Sequence, residues 1–585
     1  MNRESKQCQN CHQEFWIEPE DFSFYEKIKV PPPTFCPECR AKRRLIQWNE
    51  HNLFRKKSFL DGQELFSTYP EDSSIKVYSH DYWWSDKWDP MQYGRDYDFK
   101  RPFFEQFRDL FYDVPWSVQS VRNMVNSDYC NQANGFKNCY LCFNGGYGEN
   151  CMYGVAFRDV KDSLDFHAAI SCELIYECYQ LGKCFKTFFS KEIHDSNNVW
   201  FMNDCTNCSN CFGCINLRHK QYYIFNTQYT KDEYEKKIKE FNLGSYKSLM
   251  EIKDRFEDFK IKFPVKYIHS NHSVNCSGDY VYWSKNARYC YEVGVVEDSK
   301  FIQNVTAGVK DCYDYSNWGD NVELMYESIS CGDKQKNIKF CFDCWPACQN
   351  LEYCANCHSS SDLFGCVGLS KKQYCVFNRQ YTQSEYESLV SKIKEHMDKM
   401  PYTNSKGVIY KYGEFIPSEF SPLAYNETKA QDYHPLDKNS AIKNGYNWKD
   451  VNRREFEISI SSDDLPDNIK DATDSILKEI ISCQKCKRAY RIIGAELELY
   501  RRFNLPLPRL CHECRYSERL KSRNPHKLWK RQCQCSGQKS ENGIYQNNAK
   551  HSHGEKKCPN EFETSYSPDR LEIVYCENCY NSEVA

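Results

Sequence analysis

Reading every third residue from Val121 to Leu217 returns only Val, Met, Ser, Cys, Ala, Phe, Gly, Ile, Leu and Thr, with no charge among 33 positions. The intervening positions carry Asn, Asp, Lys, Glu and Tyr, as in KNCYLCFNGGYGENC (137–151). A helix repeats every 3.6 residues and a strand every two, so neither accounts for a period of three. A tightly wound parallel β-solenoid does, with one side chain per triplet turned inward. The eleven cysteines between 130 and 214 all fall in this frame. The run CTNCSNCFGC (205–214) then occupies four consecutive inward positions, where Cys205, Cys208, Cys211 and Cys214 act as small apolar residues. The rival is an iron–sulphur or zinc site there, or at Cys341, Cys344, Cys348, Cys354 and Cys357. A ferredoxin-type run ends C-x3-C-P, whereas the last gap here is two and holds Phe-Gly, which favours packing.

Cut at twelve residues, the lines align, with Asn and Asp at the turns. The pattern resembles the twelve-residue right-handed β-helices of insect antifreeze proteins. Phe157 and Phe166 are bulky for so narrow an interior, which leaves open a wider coil of another multiple of three. The segment FGCINLRHKQYYIFNTQYTKDEY (212–234) recurs as FGCVGLSKKQYCVFNRQYTQSEY (364–386), with fourteen of 23 positions identical. Each copy ends in a capping box, Thr230 with Glu233 and Thr382 with Glu385, so a helix follows each cysteine-rich body. In the second module the cysteines at 348, 354, 357, 366 and 375 keep the period. Cys341 and Cys344 lie in another frame, which small insertions between coils explain.

Both ends carry a pair of CxxC knuckles. Cys8 and Cys11 are followed after 24 residues by Cys36 and Cys39; Cys483 and Cys486 are followed, after the same gap, by Cys511 and Cys514. The match extends to Tyr25 with Tyr500, Pro31 with Pro506, Pro33 with Pro508, and CPECR (36–40) with CHECR (511–515). Four thiolates from two tight turns make a closed tetrahedral Zn²⁺ site with no position left for water, which is structural rather than catalytic. Rubredoxin-like iron has similar spacing. A third cluster ends the chain: Cys533, Cys535, Cys558, Cys576 and Cys579, with His551 and His553 between. Five thiols and two imidazoles exceed four positions; Cys535, Cys558, Cys576 and Cys579 are the favoured set, with Cys533 as competitor. About three structural zinc ions are therefore expected.

Each ribbon runs into a basic segment, RAKRR (40–44) and RYSERLKSRNPHKLWKR (515–531). Residues 483–532 carry a formal +10 in a chain whose net charge is −3. That asymmetry nominates Arg40, Arg43, Arg44, Arg515, Arg519, Lys521 and Arg523 as contacts to RNA or DNA phosphates. The bland alternative is a solvated helix face that shields thiolates. No apolar leader and no run of about 18 apolar residues is seen, so a reducing cytoplasm and no membrane span are expected. In that compartment, 35 cysteines indicate metal sites and buried thiols rather than disulfides.

The expected architecture is mainly β: two cysteine-rich parallel β-solenoid modules, each followed by a helix and flanked by small four-cysteine zinc ribbons. Its segments are a ribbon with basic helix (1–57), an aromatic-rich cap for the first solenoid (58–120), the first module (121–240) and a linker (241–275). The second module (276–398), a connector (399–480), the second ribbon (481–531) and a cysteine-rich zinc-binding segment (532–585) follow. The residues CPECRAKRR (36–44), RPFFEQF (101–107), NLPLPRLCHECR (504–515), KLWKRQCQC (527–535) and FETSYSPDRLEIVYC (562–576) resemble a cysteine-rich "probable zinc-ribbon" protein family of candidate-phylum bacteria. The resemblance implies zinc at the matching cysteines and names no reaction. It departs at FRKKSFLDGQEL (54–65), which lacks a cysteine the family would place there.

No phosphate-cradling glycine loop, HExxH, nucleophile elbow or paired-carboxylate signature occurs. The sequence therefore reads as a non-enzymatic zinc-binding scaffold whose basic ribbons meet nucleic acid or a ribonucleoprotein, and whose solenoid surface meets protein. The alternative is an iron–sulphur or redox protein that uses the central cysteines. Carbohydrate binding along a solenoid face is a third reading, disfavoured by the missing export signal.

Overall fold

The computed structural model describes residues 2–305, 307–450 and 456–584. The chain forms two compact units, each discontinuous: residues 1–119 with 268–450, and residues 120–267 with 451–585. The first ribbon thus folds with the second solenoid, and the second ribbon with the first.

Along residues 121–224, strands pair in parallel at a constant register of twelve. Val121 pairs with Ala133, Asn131 with Phe143, Val155 with His167, Glu173 with Phe185, Asn197 with Ser209 and Ser209 with Gln221. From Gln132 to His219 every third residue takes a positive φ, so each coil bends once per triplet. After glycine, Asn and Asp tolerate that conformation best. Side chains of Asn126, Asn138, Asn150 and Asp162 stack as a hydrogen-bonded ladder at 2.8–3.1 Å. The wider coil does not occur. Phe157 and Phe166 fit because glycines share their inward frame: a Cβ on Gly148 would lie 2.8 Å from the Phe157 ring, and one on Gly154 would lie 2.4 Å from that of Phe166.

The inward cysteines are packing groups that also satisfy backbone. Cys205, Cys211 and Cys214 each donate S–H to the carbonyl two residues back, at 3.3, 3.3 and 3.2 Å. Ser190 and Ser196, in the same frame, do the same at 2.8 Å. Cysteine here is a buried, less polar counterpart of serine: it fills the ladder while its S–H donates to a backbone carbonyl.

The second solenoid varies its coil length. Gly278 pairs with Cys290 at twelve; Lys300 with Tyr313, Tyr313 with Tyr326 and Lys336 with Gln349 at thirteen; Ser361 with Gln373 at twelve again. Between the positive-φ residues Asp343 and Ala347 one side of a coil has four residues instead of three. That extra residue separates the frame of Cys341 and Cys344 from that of Cys348 onward.

Both solenoids close alike. Strand Gln221–Ile224 turns back antiparallel onto Thr227–Gln228, and Gln373–Val376 onto Arg379–Gln380. In each turn an asparagine side chain binds both backbone groups of a residue one coil back, Asn226 on Ile215 and Asn378 on Val367. The capping boxes at Thr230 and Thr382 then start helices Lys231–Glu240 and Gln383–Lys399.

Two expectations for the connecting segments need correction. The aromatics of 58–120, expected as a cap for the first solenoid, cover the flank of the second. Phe103 packs on Tyr353 and Phe364 at 5.1 and 5.4 Å, and Trp84 on Trp345 at 5.6 Å. The second solenoid accepts them because Gly365 and Gly368 leave room where the Phe103 ring and Val114 lie. Residues 241–275 are not a bare linker. Their helix Tyr246–Lys260 buries Leu249, Ile252 and Phe256 in the core that contains Phe201 and Phe212.

Candidate metal centres

Cys8 and Cys11 sit in the turn between strands Glu4–Gln7 and Glu14–Ile17; Cys36 caps helix Pro37–Leu45, and Cys39 lies in its first turn. The second ribbon repeats the arrangement, with Cys511 capping helix His512–Lys521. The knuckles match bond for bond. Cys8 N–H donates to Gln13 and His12 N–H to Cys8, as Cys483 N–H donates to Arg488 and Lys487 N–H to Cys483. His12 and Lys487 both take the positive φ that such a tight turn requires.

The four sulphurs of each ribbon lie within 4.8 Å of one another. Cys11 and Cys36 Sγ are 3.7 Å apart, as are Cys486 and Cys511. A zinc–thiolate bond of about 2.3 Å places tetrahedral sulphurs about 3.8 Å apart, so both donor sets fit the ion. Without metal the thiols share protons unevenly. Cys8 is held far below its usual range by S–H donation from Cys36 and Cys39, while Cys36 and Cys8 push Cys39 far up. Burial raises Cys486, yet the Arg488 guanidinium bonded to its sulphur at 3.4 Å holds it down at about 6. Groups of thiols tuned so that some ionise readily are what a cation needs on binding.

At the C-terminus the tetrad is Cys533, Cys558, Cys576 and Cys579. Cys533 therefore takes the place expected for Cys535. The backbone explains the choice: Cys576 N–H donates to Cys533 Sγ at 3.2 Å, the same bond that Cys511 N–H makes to Cys483 Sγ in the second ribbon. Cys535 lies instead with His551, His553 and Cys579. Among the described residues the central cysteines form no group of three or more potential ligands that close together.

The arginines nominated for phosphate contact are not at the surface. Arg40, Arg43 and Arg44 are at most 2% exposed, Arg515 and Arg519 5–6%, and Arg523 is buried too. Arg40 and Arg44 bind Asp314 at 2.9 and 3.1 Å, and Arg43 binds Glu327 at 2.6 Å and Glu414 at 2.9 Å. In the other unit Arg515 binds Asp165 at 2.8 Å and Glu496 at 3.1 Å, and Arg519 binds Asp165 at 2.9 Å and Glu177 at 3.3 Å. Of the seven, Lys521 alone keeps an exposed side chain, at 65%. Burial pushes Glu327 and Glu496 above the usual carboxylate range although the arginines pull the other way.

The solenoid carboxylates Asp165, Glu177, Asp314 and Glu327 went unnoticed in the sequence because each occupies an outward corner of a coil, where Asp and Glu look like solvated turn residues. Their signal is a column. Tyr153, Asp165, Glu177, Phe189 and Phe201 follow one another at twelve residues; Phe301, Asp314, Glu327, Phe340 and Tyr353 do so at thirteen. All ten have positive φ. Tyr25 meets Tyr326 at 5.6 Å as Tyr500 meets Tyr176 at 5.8 Å, so each ribbon docks on its column in the same way.

No protein-family model matches the chain, and no curated protein matches it. Among solved structures, a putative acetyltransferase from Desulfovibrio desulfuricans G20 is matched at 10% identity over 50% of this chain and 74% of that one, with a TM-score of 0.11. A likeness so slight carries no argument. No helix among the described residues is long and apolar enough to cross a membrane.

Proposed function

We propose that the protein is a non-enzymatic scaffold held by Zn²⁺, in which each ribbon is a metal-set clamp on a cysteine-walled solenoid and the solenoid surface is offered to a macromolecular partner. Membership of the cysteine-rich zinc-ribbon family is part of the same reading. The observation that carries it is the sequence adjacency of ligand and clamp. Cys36 and Cys39 directly precede Arg40, Arg43 and Arg44; Cys511 and Cys514 precede Arg515 and Arg519; and all five arginines are buried on solenoid carboxylates. The ion fixes the first helical turn, and that turn aims the guanidinium groups. A nucleic-acid partner survives in narrower form, on the exposed Lys521, Lys527 and Lys530.

The test is metal content and visible spectrum of anaerobically purified protein, with Cys208→Ser beside Cys8→Ser. Zinc at three or more per chain, no colour, one ion lost in C8S and none in C208S are the expected results. Iron with inorganic sulphide that disappears in C208S would instead make the central cysteines a redox centre.

A further inference from the structure

Cys579 belongs to two ligand groups at once, with Cys533, Cys558 and Cys576 on one side and with Cys535, His551 and His553 on the other. One ion serves at most four of these seven groups, and the three left over do not look idle. His551 Nε2 lies 2.9 Å from Glu583 Oε1. A carboxylate only accepts, so Nε2 carries the proton and Nδ1 keeps a lone pair. That Nδ1 is buried with no hydrogen-bond partner, on a side chain 1% exposed. His553 is set likewise: Nδ1 donates to the Lys556 carbonyl at 2.7 Å, and Nε2 lies 3.4 Å from Cys579 Sγ. Asn547 donates to Cys535 Sγ at 3.3 Å and is itself held by Tyr575.

Glu583 is anchored from four directions. It accepts from Tyr545 Oη at 3.0 Å, from the backbone of Asn548 and Ala549 at 2.8 and 3.1 Å, and from His551. A histidine whose outer nitrogen is fixed by a carboxylate is the usual support of a metal-ligating imidazole. Cys579 and Glu583 stand four residues apart on helix Glu577–Val584, so one helical face supplies both the shared sulphur and that support.

We infer that the C-terminal segment holds a pair of zinc ions joined by the Cys579 thiolate, the second bound by Cys535, His551 and His553. Charge favours the pair: five thiolates with one divalent ion carry −3, and the second ion reduces this to −1 in a buried site. The inference rests on zinc as the resident metal and adds a fourth ion to the three four-cysteine sites.

The experiment is zinc per chain, by elemental analysis of the full-length protein, for the wild type, His551→Ala/His553→Ala and Glu583→Gln. Four ions are expected in the wild type and three in the histidine variant, with strand circular dichroism retained. E583Q should release one of four ions to a competing chelator roughly 10–100-fold more readily. In the cadmium-substituted protein, two resonances should couple to each other through the shared sulphur, and the coupling should vanish in Cys579→Ser. Three ions in both wild type and histidine variant would leave the four-cysteine sites standing and overturn the pair, as would four ions in both. Iron, or no metal, in the wild type would overturn both readings.

Discussion

At the residue scale, the best-defined interaction is the buried guanidinium on a corner carboxylate. Arg44 reaches both Asp314 and Glu327, each of which is wholly buried. Removing one partner from such a network leaves an uncompensated charge in a medium that solvates it poorly, so Arg44→Ala should cost about 3–5 kcal/mol in chemical denaturation. Arg519→Ala should cost a comparable amount through Asp165 and Glu177. Lys521→Ala, two residues further along the same basic helix, should stay within about 0.5 kcal/mol, because its contact with Glu518 is solvent-exposed. Equal effects for R519A and K521A would contradict the clamp. The same contrast shows how far charge can be read from sequence. RAKRR and RYSERLK look identical whether they face phosphate or a buried carboxylate, and only the stacking of one coil on the next gathers Asp314 with Glu327.

At the scale of the element, the period of three is enough to place most of the solenoid. It decides which residues face inward and assigns CTNCSNCFGC to the wall. Coil length is legible where it is constant, as from Val121 to Ile224, and illegible where one residue is added per coil, because a single insertion shifts the frame without leaving a motif. The room for Phe157 and Phe166 is hidden too, since the glycines that make it belong to neighbouring coils. Solenoid closure does have a sequence signal, the FNxQYT shared by 225–230 and 377–382. Asn378 is fully buried and binds both backbone groups of Val367, itself fully buried. Asn378→Ala should strand those two groups at about 1–3 kcal/mol each and speed hydrogen exchange at the Val367 amide more than at Val293, in an earlier coil. Unchanged exchange at Val367 would mean that the hairpin closes the stack without the asparagine.

At the scale of the whole chain, the pairing of ribbons with solenoids runs against sequence proximity. Residues 1–57 fold with the second module although the first is nearer, and nothing in the local pattern announces it, because both columns offer Asp, Glu and an aromatic in the same order. What sequence does retain is the 475-residue register between the ribbons, which carries Arg40 to Arg515 and Arg44 to Arg519 along with the ligands. Ligand and clamp therefore form one device, and metal loss should be felt at the solenoid. Helices Pro37–Leu45 and His512–Lys521 are nine and ten residues long, too short to persist alone in water. Their first turns are held by Cys36 with Cys39 and by Cys511 with Cys514. Stripping the bound metal with a chelator should loosen these turns, withdraw the arginines, and leave Asp165, Glu177, Asp314 and Glu327 buried without counter-charge. Hydrogen exchange should then rise at those four corners as well as at the knuckles, with stability falling at least as far as in R44A. The inward cysteine ladders, with their own S–H bonds to backbone, should keep their protection. Exchange confined to the knuckles would reduce the ribbons to independent modules that merely rest on the coils.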